Sequence, residues 1–200
     1  MKHVLTWLAC GLLASTLVSC GSTRVVTRWQ DPSVSVTPIV FTKVLAMVIA
    51  GDQALRRAGE QELCRQVERA PCQPAYLSIP DSALRDVDAV KAIVRKEGFD
   101  GAVVFRVAGE REQVTYVPPS YGPGFWGYYG HARVAYDPGY YRSDQVVRVE
   151  TSIYSIREDK LLWVGTTDTV NPDSVAGLVK DVAKAVRKEL EREGAVPASR

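Results

Sequence analysis

The apolar positions of the chain fall into blocks whose periods alternate between those of buried strands and those of helices. Residues 43–50 form a continuous apolar run that stops at Gly51-Asp52, the pattern of a strand covered on both faces. Residues 52–70 are charged and permit a helix, with Leu55, Ala58, Leu63 and Val67 as its buried side, Gly59 as a weak point, and Pro71 and Pro74 ending it. Residues 75–79 read as a short strand closed by Pro80-Asp81. A second helix is predicted over 86–97, burying Val87, Val90, Ile93 and Val94. Gly98 supplies its left-handed stop, and Phe99 returns to contact Val94.

Residues 102–107 are again strand-like and continue with alternation toward Val117. From 146 to 156, Val147, Val149 and Ile153 alternate with Arg148, Glu150, Ser152 and Tyr154, as in a sheet with one covered and one wetter face. A turn at 157–160 and an antiparallel strand at 161–170 follow. Asn171-Pro172-Asp173 predicts a helix start, with Asn as cap, Pro at the first position and an acid favoured by the dipole. That helix puts Val175, Leu178, Val179, Val182, Val186 and Leu190 on one stripe, with Lys184, Arg187 and Lys188 in its later half. The predicted architecture is α/β (α+β): a mixed sheet of about five strands with three helices, in the order β-α-β-α-β-β-β-α. One domain over 43–194 accounts for it, with 195–200 as a tail. No internal repeat is visible.

The N-terminus changes the picture. Lys2 and an apolar run from Val4 to Val18 read as a secretory leader over 1–19, and the run falls short of the roughly 20 apolar residues a bilayer span needs. Leu17-Val18-Ser19-Cys20 resembles the lipobox of bacterial lipoproteins, in which the cysteine becomes lipidated and is the new N-terminus. Cys10 is a poor rival, because Trp7 holds the aliphatic position. The competing readings are a plain secretory peptide cut near Ala14 or Ser19 and a short buried helix. Several acyl chains, palmitate among them, hold a protein stably on a membrane, whereas a single chain is marginal. Residues 20–42 are then a lipidated N-terminus and tether that docks partly through Trp29. By resemblance to enterobacterial sorting, Gly21 after the cysteine favours the outer membrane, facing the periplasm, over the inner membrane.

With Cys10 in the leader and Cys20 lipidated, Cys64 and Cys72 remain as an even pair in an oxidising compartment, so a disulfide is expected; the alternative is a buried thiol on a helix. The 25 Lys plus Arg against 23 Asp plus Glu leave too little excess for a polyanion surface, so no nucleic-acid partner is expected. His131 is the one histidine outside the leader, which excludes a histidine-rich metal site and reads best as a solvated loop residue. The acid pairs Glu60 with Glu62 and Asp86 with Asp88 lie on predicted helices and read as solvated faces rather than general acids and bases. Gly122-Pro123-Gly124-Phe125-Trp126-Gly127 has dinucleotide-motif spacing, yet no helix follows to meet a phosphate. No catalytic residue, cofactor or metal is implied.

Residues 116–142 are the unusual segment. They hold seven of the nine tyrosines with Phe125, Trp126, five glycines and four prolines, far more than a hairpin loop requires. Aromatic rings offer contact area at low entropic cost, so Tyr121, Phe125, Trp126, Tyr128, Tyr129, Tyr136, Tyr140 and Tyr141 are the candidate partner-binding residues. Insertion of these rings into lipid headgroups, rings packed back on the domain, and a low-complexity insertion with no partner are the alternatives.

The order of elements, with Phe99-Asp100-Gly101-Ala102-Val103-Val104 entering a strand and Lys160-Leu161-Leu162-Trp163-Val164-Gly165 leaving a turn, resembles the N-terminal domain of the Tol translocation protein B. It is similar also to the lipoprotein activators of penicillin-binding proteins and to the curli secretion lipoprotein. Trp29-Gln30-Asp31-Pro32, Arg56-Arg57, Tyr128-Tyr129-Gly130, Pro138-Gly139-Tyr140 and Glu150-Thr151 resemble an uncharacterised family of bacterial envelope lipoproteins, over most of the chain. The resemblance says little about activity; with an anchor expected and no catalytic constellation, the leading reading is a non-enzymatic, membrane-anchored, periplasm-facing accessory or protein-interaction module of the cell envelope with an envelope protein partner. An assembly or pore subunit like the curli lipoprotein, and a hydrolase using scattered carboxylates, are the other readings.

Overall fold

A computed structural model describes residues 23–118 and 139–197. Its strands are β1 (Thr23–Gln30), β2 (Val44–Ile49), β3 (Cys72–Pro74), β4 (Gly101–Val117), β5 (Tyr140–Ser155) and β6 (Lys160–Val170). They form one mixed sheet in the order β1-β6-β5-β4-β2-β3. The β4-β2-β3 side is parallel and the remainder antiparallel. The helices are α1 (Gln53–Gln66), α2 (Ala75–Ser78), α3 (Val87–Lys96) and α4 (Val175–Arg192). The α/β class read from the sequence is observed, with six strands where about five were expected and four helices where three were.

The sixth strand is β1, inside the segment read as a tether. A bulge between Val25 and Thr27 switches which residues face which side, so no sustained alternation reaches the sequence. As an edge strand it is fixed by polar ladders: Thr23 hydrogen-bonds Thr169 at 2.8 Å, and Thr27 bonds Thr166 at 2.6 Å. Arg28 ties it to Glu189 and Glu193 of α4. Trp29 lies in this strand opposite Val164 and stays half exposed. Residues 31–43 are anchored at points, with Asp31 and Val34 buried and Asp100 accepting from the Thr42 and Lys43 amides. The predicted tail is likewise part of the domain at its start, since Ala195 is fully buried and its carbonyl accepts from the Ile39 amide.

The strand expected at 75–79 is the short helix α2, and pairing with β2 occurs one step earlier, at β3. A five-residue apolar run does not distinguish the two states; here Ala75 and Ile79, four apart, bury together beneath α3. On α1 the buried residues are Gly59, Glu60, Glu62 and Leu63, while the expected Leu55 is about half exposed. Gly59 permits close approach to β2: a Cβ there would stand 3.1 Å from a Val48 methyl. Val87 is also exposed; α3 packs through Val90, Ile93 and Val94 instead. Gly98 takes φ +74 and Phe99 buries with Val94, as the sequence predicts.

The last helix starts later than expected. Ser174 caps it, accepting from the Gly177 amide at 3.0 Å. Asn171 sits in the left-handed region (φ 48) and uses its side chain on β5. The stripe Val179, Val182, Val186 and Leu190 is buried against the sheet, with Val175 and Leu178 partly so. α1 and α4 cover one face of the sheet, over Ala46, Phe105, Val149, Ile153 and Trp163. α2 and α3 cover the other face over Leu45 and Ala102. β2 is therefore covered on both faces, as its unbroken apolar run requires.

Candidate functional site

β4 pairs with β2 only as far as Arg106, and β5 pairs with β6 only from Val146. Beyond the sheet, 112–117 of β4 and 140–145 of β5 pair with each other and form a two-stranded ribbon with no further strand at either side among the described residues, while 107–111 of β4 still lie beside 146–149 of β5, which β6 flanks. Six residues of β4 give it a length of about 20 Å. Strands thus extend to Val117 and begin again at Tyr140, so the loop expected from 116 is shorter and β5 starts six residues before its predicted onset.

Tyr116 and Tyr141 are opposite one another, their rings tilted by 52° with centroids 5.3 Å apart. Val114 shares their face two residues away, whereas Val117 and Tyr140 form a pair on the reverse face. Val114, Tyr140 and Tyr141 are all exposed. The described residues 114–118 and 139–141 carry no charged side chain, in contrast to the ribbon's root, which holds Glu110, Arg111, Glu112, Arg142 and Asp144.

That root is braced by carboxylates. Asp144 is buried; it accepts from Asn171 Nδ2 at 2.7 Å and Arg142 Nε at 3.0 Å, and these bonds hold its pKa below the usual carboxylate value. Asn171 Oδ1 in turn accepts from the Gln145 amide at 2.7 Å. The left-handed turn after β6 is therefore what locks the ribbon's exit. Further in, Asp168 takes a bidentate pair from Arg148 at 2.7 and 2.9 Å and a third bond from Arg111 at 2.8 Å. The Arg148 bonds lead in lowering its pKa to about 2 against the opposing effect of burial.

One register row relates the ribbon to the N-terminus. Thr23 pairs with Thr169, Thr169 with Val147, and Val147 with Glu110. β1 and β5 run in the same direction, so the chain enters β1 at the end of the sheet from which the ribbon projects. Cys20 lies three residues before Thr23, a reach of at most about 10 Å, and the ribbon continues about 23 Å past that row.

Of the sequence-predicted residues, Cys20, Tyr121, Phe125, Trp126, Tyr128, Tyr129, Tyr136 and His131 lie outside the described residues, as does the 122–127 glycine motif. Tyr140 and Tyr141 are brought together with Tyr116 and Val117 at the ribbon's end. Cys64 and Cys72 form a disulfide, Cα atoms 5.2 Å apart, that joins the end of α1 to β3.

Of the acid pairs, Asp86 and Asp88 are exposed as expected, whereas Glu60 and Glu62 are buried. Glu60 is 2% exposed and accepts from the Tyr76 amide at 2.8 Å and the Val48 amide at 3.4 Å, stapling α1 to α2 and β2. Burial pushes its pKa up against those bonds. Glu62 is also buried, with Arg65 and Gln66 on its carboxylate. Helical periodicity scores both as solvent-facing, because a carboxylate that finishes its hydrogen bonds indoors looks identical in sequence to one in water. Asp86 instead caps α3, accepting from the Asp88 and Ala89 amides. Among the described residues, no group of three or more His, Cys, Asp or Glu side chains is placed to hold a metal, and no helix is long and apolar enough to cross a membrane.

No protein-family model matches the chain, and no curated protein matches it. Among solved structures it is similar to a single-residue variant of the PelC dodecamer from Paraburkholderia phytofirmans, with TM-score 0.45 and 11% identity over 90% of this chain and 99% of that one. A second form of the PelC dodecamer from the same organism gives TM-score 0.44 and 10% identity over 89% and 99%. The lipoprotein GNA1162 from Neisseria meningitidis gives TM-score 0.39 and 14% identity over 76% and 99%.

Proposed function

We propose that the chain is a lipid-anchored, non-enzymatic accessory module of the bacterial envelope that presents the β4–β5 ribbon to a protein partner at the membrane surface. The leader and the Leu17-Val18-Ser19-Cys20 motif support lipidation of Cys20 and a periplasm-facing position, at the outer membrane by the residue that follows. The observation that carries the reading is the shared exit: β1 begins at the end of the sheet from which the ribbon projects, three residues from the lipid site. A lipid at Cys20 holds that end against the leaflet, and the ribbon outreaches the short tether. Its uncharged, tyrosine-bearing tip is thereby delivered to whatever lies at the leaflet. Tyrosine rings of this kind, rigid and amphipathic, suit recognition more than covalent chemistry.

A photo-crosslinking amino acid placed at Tyr141, compared with one at the exposed Val36 beyond the far end of β1, tests this in intact cells. The reading expects a discrete protein adduct from position 141 and none from 36. Equal adducts from both positions, or lipid adducts alone from 141, would remove the partner-binding role.

The strand-free sides of the ribbon favour a second reading, an assembly subunit. Strand edges without neighbours are templates for pairing with another chain, and a second copy offers the same edge. A ring in detergent that falls apart when Thr115, in the ribbon, is changed to Pro would select it over the accessory role.

A further inference from the structure

We propose, resting on the accessory reading of the ribbon, that the open edge of β4 beyond Arg106 docks an extended segment of the partner protein as an added strand, one with two cationic side chains two residues apart and an apolar one next along the same face. β2 pairs with β4 only as far as Arg106, and its chain then turns into α1 at Gln53, so among the described residues no strand lies beside 107–117 on that side. Every residue from Val107 to Tyr116 is exposed. Two common blocks on a free edge are missing, since 107–117 hold neither lysine nor proline, and the bulge between Val107 and Gly109 ends before Glu110.

Register fixes which groups this edge offers. Gln145 turns both backbone groups away from β4: its N–H donates to Asn171 Oδ1 and its carbonyl accepts from the Asn171 N–H, each at 2.7 Å. Gln145 stands opposite Glu112, and opposed residues of an antiparallel pair either bond each other or both point outward. Glu112 therefore directs its N–H and C=O to the open side, as do Glu110 and Val114 by alternation. The two Asn171 bonds also close the β5 edge at the ribbon's root, because Asn171 already holds the place a docked residue would take. A row of main-chain donors and acceptors is matched by another extended main chain, and β4 is the edge with room for one.

The side chains select the sequence of that strand. Glu110, Glu112 and Val114 lie on one face of β4. Among the described residues neither glutamate meets a cation: Glu112 accepts from the Ser143 hydroxyl, and Glu110 from Gln145 Nε2 at 3.5 Å. The neighbouring arginines are engaged on the reverse face, Arg111 with Asp168 and Arg142 with Asp144. Two uncompensated carboxylates at i and i+2 match two cations at the same spacing on an incoming strand, since opposed charges of opposite sign attract across strands and like charges repel. A second copy of the chain paired in register brings the same acids against them, whereas a basic strand from another protein does not.

The probes are two fluorescein-labelled peptides, Lys-Thr-Lys-Thr-Val-Thr-Val and the reverse order Val-Thr-Val-Thr-Lys-Thr-Lys, which suit a parallel and an antiparallel docked strand. Each is titrated against the full chain carrying Cys20→Ser and followed by fluorescence anisotropy. Expected is saturable binding of one order, about tenfold weaker when its lysines are replaced by glutamates, the effect of two cross-strand charge pairs reversed in sign. Glu110→Lys with Glu112→Lys should invert that preference and, both residues being exposed, leave the melting temperature nearly unchanged. N-methylation of one alternating set of peptide amides should abolish binding and methylation of the other set should not, because one set alone faces β4. In cells the same double variant should lose the adduct from position 141. Absence of saturable binding, binding indifferent to the charge inversion, or equal tolerance of both methylated sets overturns the proposal. So does self-association of the peptide-free protein through this edge, seen by sedimentation and lost in the double variant. An adduct from position 141 that survives the charge inversion overturns strand docking and leaves the accessory role standing, whereas a wild-type chain with no adduct there removes both.

Discussion

Replacing Asp168 by Asn tests the energetic reading of the sheet where it is most quantitative. The carboxylate is 1% exposed and receives three charge-assisted bonds, two from Arg148 and one from Arg111. Those bonds hold its pKa at about 2, from an ordinary value of 3.8. The folded state therefore binds this proton less readily than the unfolded chain, so the stability it contributes is complete above about pH 4 and is lost as pH falls toward 2. A displacement of this size is worth about 2 kcal/mol, an upper figure because Arg148 and Arg111 are each about two-fifths exposed and rehydrate when released. Asp168→Asn should thus cost up to about 2 kcal/mol at pH 7, a fall in melting temperature of roughly 4 to 8 °C for a domain of this size. Urea denaturation at pH 7, 4, 3 and 2 should show the gap between wild type and variant closing through the two lowest values. A gap that stays constant across that range, or none at pH 7, would refute the assignment of this carboxylate as a charged keystone.

Three further outcomes follow from the geometry. Changing Cys64 and Cys72 together to Ala should cost about 2 to 3 kcal/mol by chemical denaturation, because the bond closes a loop of sequence separation 8 in the unfolded chain. Gly101→Ala should destabilise by about 1 to 3 kcal/mol, since a Cβ there would stand 2.4 Å from the Phe41 ring; an unchanged melting curve would show that Phe41 is not fixed in that place. Tyr140→Ser should leave the melting temperature nearly unchanged, the residue being exposed, while removing the crosslink expected from position 141 in cells; retention of that crosslink by this variant would shift recognition elsewhere.

How much of this was legible in the sequence depends on whether burial and period coincide. α4 was readable because its buried stripe is wholly apolar and recurs at three and four residues, and β5 because one face is apolar and the other charged. β1 was not, for its bulge breaks the period and its contacts are threonine ladders and one arginine rather than apolar rows. α2 and β3 were exchanged because a five-residue run lacks the length to declare a period. Glu60 was assigned to water because sequence carries residue type and spacing but not the two backbone amides waiting on β2 and α2. The ribbon was half legible. Its aromatic composition drew attention to 116–142, whereas its continuation from β4 and β5 and its common exit with β1 are matters of register.

The shared exit of β1 and the ribbon acquires its meaning from a lipid at position 20. Intact-mass and fragment analysis of the mature protein, isolated from a membrane fraction, tests it directly. The expected product begins at Cys20, carries a thioether-linked diacylglycerol and further acylation, and gives way to an unlipidated form when Cys20 is changed to Ser. A mature chain with a bare N-terminus at another residue, or one that keeps its leader and stays off the membrane, would contradict it.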